Sequence, residues 1–190
     1  MKSLGISPTV QVKLMKKIKN GELLDSQKQE LLDKISPESL SPSIKEPVKE
    51  YTFPDGSKIR NTIKSTNPNQ FITTLGTSCG TGYCNYYSYL VRTETIVGVG
   101  SFLVDFSLAY GKSYADSISQ VWDKQASIFL GSLDSVNLDL VRRKENLYTG
   151  QRALATLTVR YKTVKDYAMA TAYLRFYVGQ DTYYQSRSGW

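Results

Sequence analysis

Hydrophobic and polar residues alternate with two different periods along this chain, and the change falls near residue 48. In "ISPTVQVKLMKKIKNGE", Val10, Leu14 and Ile18 recur at i, i+4 and i+8, so they share one face of a helix whose other side is rich in lysine. Ser7 is placed to cap that helix, Pro8 fits its first position, where a missing N–H costs nothing, and Gly21 fits the residue just past its end. A second start is expected in "DSQKQELLDKI", where Ser26 and Gln29 have capping-box spacing and Leu31, Leu32 and Ile35 supply the apolar side. "SPESLSPSIKEP" then places Pro37, Pro42 and Pro47 within eleven residues, which predicts a linker or extended arm.

From Val48 the period is two. "VKEYTFPDGSKIRNTIK" reads as a hairpin whose turn is Pro54-Asp55-Gly56-Ser57. Phe102, Val104, Phe106 and Leu108 alternate with Ser101, Leu103, Asp105 and Ser107, and Val136, Leu138 and Leu140 follow the same rule. So do Ala153, Ala155, Leu157, Val159 and Tyr161. The longest run is Ala168, Ala170, Ala172, Leu174, Phe176 and Val178, opposed by Met169, Thr171, Tyr173, Arg175 and Tyr177. Strands apolar on one side only belong to antiparallel sheets with one face in water. The predicted fold is therefore mainly β, an antiparallel β-sandwich over residues 48–190, preceded by one or two short amino-terminal α-helices and a Pro/Ser-rich arm over residues 1–47. Residues 114–130 fit a strand or a helix, because Ile118, Val121, Trp122, Gln125 and Phe129 also have helical spacing.

Composition removes whole classes of chemistry. The chain has no histidine, so a Ser-His-Asp triad, a Cys-His pair and a histidine-ligated zinc cannot be assembled from it. No metal or other cofactor is expected. The longest uncharged apolar stretch, Thr95 to Val104, is far too short for a membrane-spanning helix. Residues 1–20 carry five lysines and no apolar stretch of the secretory type. The net charge of +7 favours anionic partners.

The two cysteines lie in "SCGTGYC". A thioredoxin-type redox site wants Cys-x-x-Cys at a helix start, and a structural metal site wants four ligands. Cys79 and Cys84 match neither, which leaves a disulfide or two free thiols. Gly80 and Gly82 permit the tight turn that a bridge needs, and a bridge implies an oxidising compartment, hence a secreted or surface location. "VGVGSFL" lacks the third glycine of a dinucleotide fingerprint, so Gly98 and Gly100 are read as sites of a strand bend or bulge.

Carboxylates can act without histidine, and Glu94, Asp105, Asp116 and Asp123 are the candidates for a glycosidase-like pair, with Asp105 read as solvated surface. No catalytic residue is singled out, and the chain is read as non-enzymatic. Tyr87 and Tyr89 should share a buried face with Val91, leaving Tyr86 on the other side. Tyr86, Trp122, Tyr184 and Trp190 are the candidate ligand-binding aromatics, able with basic neighbours to stack on sugar rings and attract phosphate. No nucleic-acid motif of the RNP1 or recognition-helix type is present.

Two stretches, "ISPTVQVKLMKKIKNGELLDS" and "KEYTFPDGS", resemble exported proteins of Gram-positive bacteria that carry a short helical leader segment, a Tyr-x-Phe-Pro-Asp-Gly-Ser hairpin and a β-rich domain. The resemblance implies secretion and a β-sandwich, and it carries no reaction. The expected function is thus a secreted or cell-surface binding or assembly protein. Its expected partners are an anionic cell-wall polymer, a glycan or a membrane surface, or further copies of itself. The competing expectation is a secreted β-rich membrane-acting toxin or antimicrobial factor that uses "TLTVRYKT" and "YAMATAYLRFYVG" as an amphipathic hairpin.

Overall fold

The structure is a computed structural model that describes residues 1–66, 76–111, 113–163 and 168–190, apart from the side chains of Pro37 and Glu38. Among these residues, ten strands form two antiparallel sheets. The first contains β1 (Val48–Thr52), β2 (Lys58–Ser65), β3 (Thr77–Gly80), β4 (Tyr83–Glu94), β5 (Gly98–Ala109) and β6 (Ser117–Ile128), in the order β1-β2-β4-β5-β6 with β3 paired to β4. The second contains β7 (Gly131–Arg142), β8 (Ala153–Thr163), β9 (Met169–Gly179) and β10 (Thr182–Ser188), in the order β10-β9-β8-β7. The predicted β-sandwich is the observed fold.

The alternating residues meet where the pattern places them. Phe102, Val104, Phe106 and Leu108 of β5 pack against Ala153, Ala155, Leu157, Val159 and Tyr161 of β8 and Ala172, Leu174, Phe176 and Val178 of β9, all buried. Phe106 is the centre of an aromatic cluster, stacked on Tyr86 at 4.5 Å and edge-on to Phe176 at 5.2 Å.

Bulges decide one open reading and correct another. Residues 117–128 form the strand β6, not a helix. Ile118, Val121, Ala126 and Ile128 all turn inward because register shifts against β5 insert extra residues, which lengthens the period-two spacing until it imitates a helix. In β4 the register slips between Tyr86 and Tyr89, so Tyr86 (opposite Phe106) and Tyr89 (opposite Val104) both face the core while Tyr87 is exposed. Ser88 adopts φ 55° there. Asp105 holds the kink from the neighbouring strand: its Oδ1 accepts the Ser88 amide at 2.6 Å and its Oδ2 accepts Gln120 Nε2 at 2.7 Å. Asp105 is therefore a buried clamp and not solvated surface.

The amino-terminal helix α1 spans Pro8–Lys19, with Ser7 before it and Pro8 in its first turn. It ends as the sequence implies: the Gly21 amide donates to the Ile18 carbonyl and the Glu22 amide to the Lys17 carbonyl, the two bonds of a Schellman motif. Leu14 joins Leu4, Ile6, Leu24 and Ile96 in a second apolar cluster, flanked by Val10 and Ile18. Since Ile96 lies in the β4–β5 turn, α1 covers that end of the sandwich.

The second helix start falls elsewhere than Ser26. Residues Asp25–Gln27 form a 3-10 turn, followed by the single turn α2 (Gln29–Leu32). Ser26 is buried and its amide donates to Ser57 Oγ at 3.1 Å, so docking on the hairpin takes the place of a helix cap. The proline-rich stretch is not a free arm either. It forms the turn α3 (Pro37–Leu40), Pro42 is buried, and Asn61 of β2 donates to the Leu40 carbonyl at 2.7 Å.

Asp55, at the tip of the β1–β2 hairpin, is the lock for this segment. It accepts from Lys17 Nζ at 3.1 Å, the Asp25 amide at 2.9 Å and the Ser57 hydroxyl at 2.6 Å. Burial alone would raise its pKa, but these bonds outweigh burial and hold it below 3.8. A carboxyl whose folded pKa lies below its unfolded one stabilises the fold above the unfolded value and loses that contribution as pH falls through the folded value. Hydrogen exchange at the Asp25 and Ser26 amides is expected to accelerate relative to the sheet core below about pH 4. An Asp55→Asn variant should show fast exchange already at pH 7.

Candidate functional site

The bridge between Cys79 and Cys84 is present, with Cα atoms 4.1 Å apart. The two residues are directly paired across the β3–β4 hairpin, so the disulfide fixes a loop whose backbone is already laddered. By loop entropy a ring this small contributes about 2 kcal/mol. It is a clasp on one hairpin.

The four aromatic residues singled out in the sequence do not gather. Tyr86 and Trp190 are core residues, 5% and 2% exposed. Trp122 pairs with Leu103 on the outer face of the first sheet, while Tyr184 pairs with Tyr177 on the outer face of the second, the opposite side of the molecule. Trp190 reaches the core because Gly189, at φ 75°, turns the chain inward after β10. Its Nε1 donates to the Tyr173 carbonyl at 2.9 Å, and its ring lies over Gly100, where an added Cβ would come within 2.4 Å of it. Gly100 is thus a packing glycine and does not mark the bend expected of it.

Tyr184 belongs to an extended surface. On β9, Tyr173, Arg175 and Tyr177 point outward, opposite the buried Ala172, Leu174, Phe176 and Val178. The register puts Leu154 of β8, Tyr177 and Tyr184 in one row; Thr156, Arg175 and Ser186 in the next; and Thr158, Tyr173 and Ser188 in the third. The rings are held in stacks. Tyr177 and Tyr184 lie parallel at 4.6 Å, Arg152 sits 4.9 Å over the Tyr184 ring, and Arg175 sits 4.4 Å over Tyr173 while donating to Ser188 Oγ at 3.3 Å. Burial raises the Tyr184 phenol above its ordinary pKa of 10.0 although Arg152 opposes it, so the hydroxyl stays a donor at neutral pH.

Strands β8, β9 and β10 contain no aspartate or glutamate, whereas Arg160, Lys162 and Arg175 are among their residues. Acid enters this sheet only on β7, where Asp139 pairs with Thr156. On β8–β10 the face thus combines flat rings, fixed guanidinium groups and hydroxyls, and the acid next to it in register is Asp139, at its β7 border. Tyr173, Arg175, Tyr177 and Arg152 were not among the sequence candidates. For the three on β9 the signal is the polar side of the strand's alternation together with the missing acids, whereas Arg152 precedes β8 and has no such signal.

The candidate carboxylates are engaged elsewhere. Glu94 is bound by Arg92 at 3.2 Å, with Arg60 at 3.9 Å; burial would raise its pKa, but a hydrogen bond with Ser3 and these two pairs together hold it below 4.5. Asp123 is exposed and accepts from Gln125. Asp116 Oδ1 accepts the Ala109 amide at 2.7 Å and Oδ2 the Asp181 amide at 2.9 Å, and nearby Glu145 accepts the Gln180 amide at 2.9 Å. Asp116 and Glu145 bind the β5–β6 and β7–β8 loops to the β9–β10 turn. Among the described residues, no group of three or more metal-ligating side chains is present.

Strands β8 and β9, the segments expected of a pore hairpin, are the two inner strands of their sheet, laddered on both sides and buried on one face. No described helix is long and apolar enough to cross a membrane. Comparison with known proteins finds no matching family model, no similar curated protein and no similar solved structure.

Proposed function

We infer that the protein is a non-catalytic binding module of the cell envelope, and that the outer face of β8–β10 holds an anionic glycopolymer. The carrying observation is the outer face of β8–β10, strands that carry no carboxylate, on which Tyr173, Tyr177 and Tyr184 are stacked with Arg175 and Arg152. Rings fixed by neighbouring guanidinium groups lose little freedom when a sugar ring lies on them, and the same cations attract phosphate or carboxylate along the polymer. Threonine and serine hydroxyls between the rings match sugar hydroxyls. The Cys79–Cys84 bridge supports placing the protein outside the cytoplasm.

Wall teichoic acid is the probe, neutral dextran the control. The protein is expected to bind the polyanion and not the dextran, with affinity falling as salt is raised through 0.1 M. A Tyr177→Ala, Arg175→Ala double variant is expected to lose at least tenfold in affinity while its circular dichroism is unchanged. Equal retention of both polymers, or a double variant that binds like the parent, overturns this reading. Binding to vesicles containing anionic lipid in preference to teichoic acid would replace the glycopolymer with a membrane surface.

A further inference from the structure

The two sheets adjoin at β6 and β7, where the Ile118 amide donates to the Arg143 carbonyl at 2.8 Å. On the other side, β10 is the free edge of its sheet, and the segment carrying Gln29, Leu32, Asp33 and Leu40 faces it across a cleft of about 240 Å³. Four consecutive residues of β10, Tyr184 to Arg187, line this cleft, and two of them face inward. Gln185 opposes the buried Phe176, and Arg187 opposes the buried Leu174.

Both are left with unmet hydrogen-bonding capacity. The stem of Arg187 reaches partial exposure, but its guanidinium is fully buried, and Nε, Nη1 and Nη2 have no hydrogen-bond partner. Oε1 of Gln185 is likewise buried and unbonded, although its Nε2 donates to the Arg92 carbonyl at 3.2 Å. Of the other amides in the cleft, Asn61 is satisfied by Leu40 on one side and Thr93 on the other, and Gln29 donates to Asp33. Asp33, the acid in the cleft, accepts from Gln29 at 2.7 Å and forms no ion pair with Arg187.

An arginine cannot shed its charge to suit a dry site. Burial pushes this one down only to about 9, so it is a cation at neutral pH. A buried guanidinium without an anion is among the most costly arrangements a fold can hold, and its planar fork is shaped for two oxygens of one oxyanion.

We propose that the cleft between β10 and the amino-terminal segment is a binding site for a small organic anion, whose carboxylate or phosphate pairs with Arg187 and whose adjacent hydroxyl or amine donates to Gln185 Oε1. Leu32, Leu40 and the Tyr184 ring wall the cleft for a short apolar body. Its volume lies below the range of sites for drug-sized ligands, so the occupant is a compact metabolite and not a polymer segment. The site does not depend on the glycopolymer reading.

Inorganic phosphate and lactate, a hydroxycarboxylate, are the probes, with sodium chloride at matched ionic strength as the control. Each probe is titrated while the melting temperature and the NMR signal of the Arg187 side-chain Nε–H are followed. Saturable stabilisation and a shift of that resonance are expected for at least one probe, with lactate stronger if the carboxylate and hydroxyl act together. Arg187→Met keeps the stem and removes the charge. It is expected to abolish the stabilisation while melting at or above the parent temperature, since an unpaired buried cation has been removed. Asp33→Asn is expected to tighten phosphate binding by removing a like charge. Failure of both probes to shift the parent more than Arg187→Met overturns the proposal. So does a loss of parent stability in Asp33→Asn, which would make Asp33 the partner of Arg187. The Arg187→Met variant should still bind teichoic acid, and the Tyr177→Ala, Arg175→Ala variant should still respond to the small anions, so the two readings fail separately.

Discussion

Replacing Trp190 with alanine is expected to lower unfolding stability by about 3–5 kcal/mol, the range for deleting a large aromatic from a packed core. The ring is 2% exposed and packs on Gly100 of the first sheet, where Leu157 of the second also approaches, so its removal opens a void between the layers. The indole also satisfies the Tyr173 carbonyl, and Tyr173 carries one of the stacked rings on the outer face. The variant should therefore weaken teichoic acid binding while leaving the outer side chains unchanged. Gly100→Ala tests the same contact from the opposite side: its new methyl meets the ring at 2.4 Å and should cost about 1–3 kcal/mol by overpacking. Urea denaturation with an unchanged slope is the measurement. A Trp190→Ala midpoint within error of the parent would show that the ring does not hold the layers together.

Asp116→Ala is expected to cost about 2–4 kcal/mol, because two amides from different loops lose a charged acceptor inside the protein. Asp116 is 0% exposed, and the Ala109 and Asp181 amides have it as their acceptor. Asparagine is no substitute, since its NH₂ end would confront one of these two donors. The pH dependence runs opposite to that of Asp55. Burial raises the Asp116 pKa above 3.8, assisted by Glu145 and opposed by the two amides. Its folded pKa therefore lies above its unfolded one, so the charged form carries an electrostatic penalty at neutral pH that is relieved as pH falls through the folded value. Parent and Asp116→Ala unfolding curves compared at pH 7 and pH 5 separate this site from the acid-sensitive hairpin lock. Equal stability of the two proteins at both values would mean that the loops hold one another without it.

The strands of the second sheet were legible because nothing interrupts their alternation: each inward residue from Ala153 to Tyr161 has a partner at the same depth on β9. Strands β4 and β6 were harder, since a single inserted residue reverses every inference downstream of it. Tyr86 and Tyr87 exchange faces for that reason, and Ser88 with Asp105 is visible as a device only once β4 and β5 are paired. The candidate face was half legible. Tyr184 was named, but its stacking on Tyr177 and beneath Arg152 depends on strand pairing and on a loop that local sequence does not specify. Arg187 gave no signal, because Tyr183, Gln185 and Arg187 form a mostly polar inward row, and a pattern built on apolar residues passes over it. Trp190 required knowing that Gly189 turns inward.

The strand orders β1-β2-β4-β5-β6 and β10-β9-β8-β7 carry a kinetic consequence. Within the second sheet every ladder joins strands adjacent along the chain, and in the first only the step from β2 to β4 passes over a strand. Each layer is therefore a meander of strands that pair with near neighbours along the chain, without the long crossovers of Greek-key sandwiches. Pairing between near neighbours keeps the entropy of closure small, so this protein should reach its native state faster than sandwiches of similar length whose sheets exchange strands. What remains non-local is the contact between the layers, where β5 meets β8 and β9.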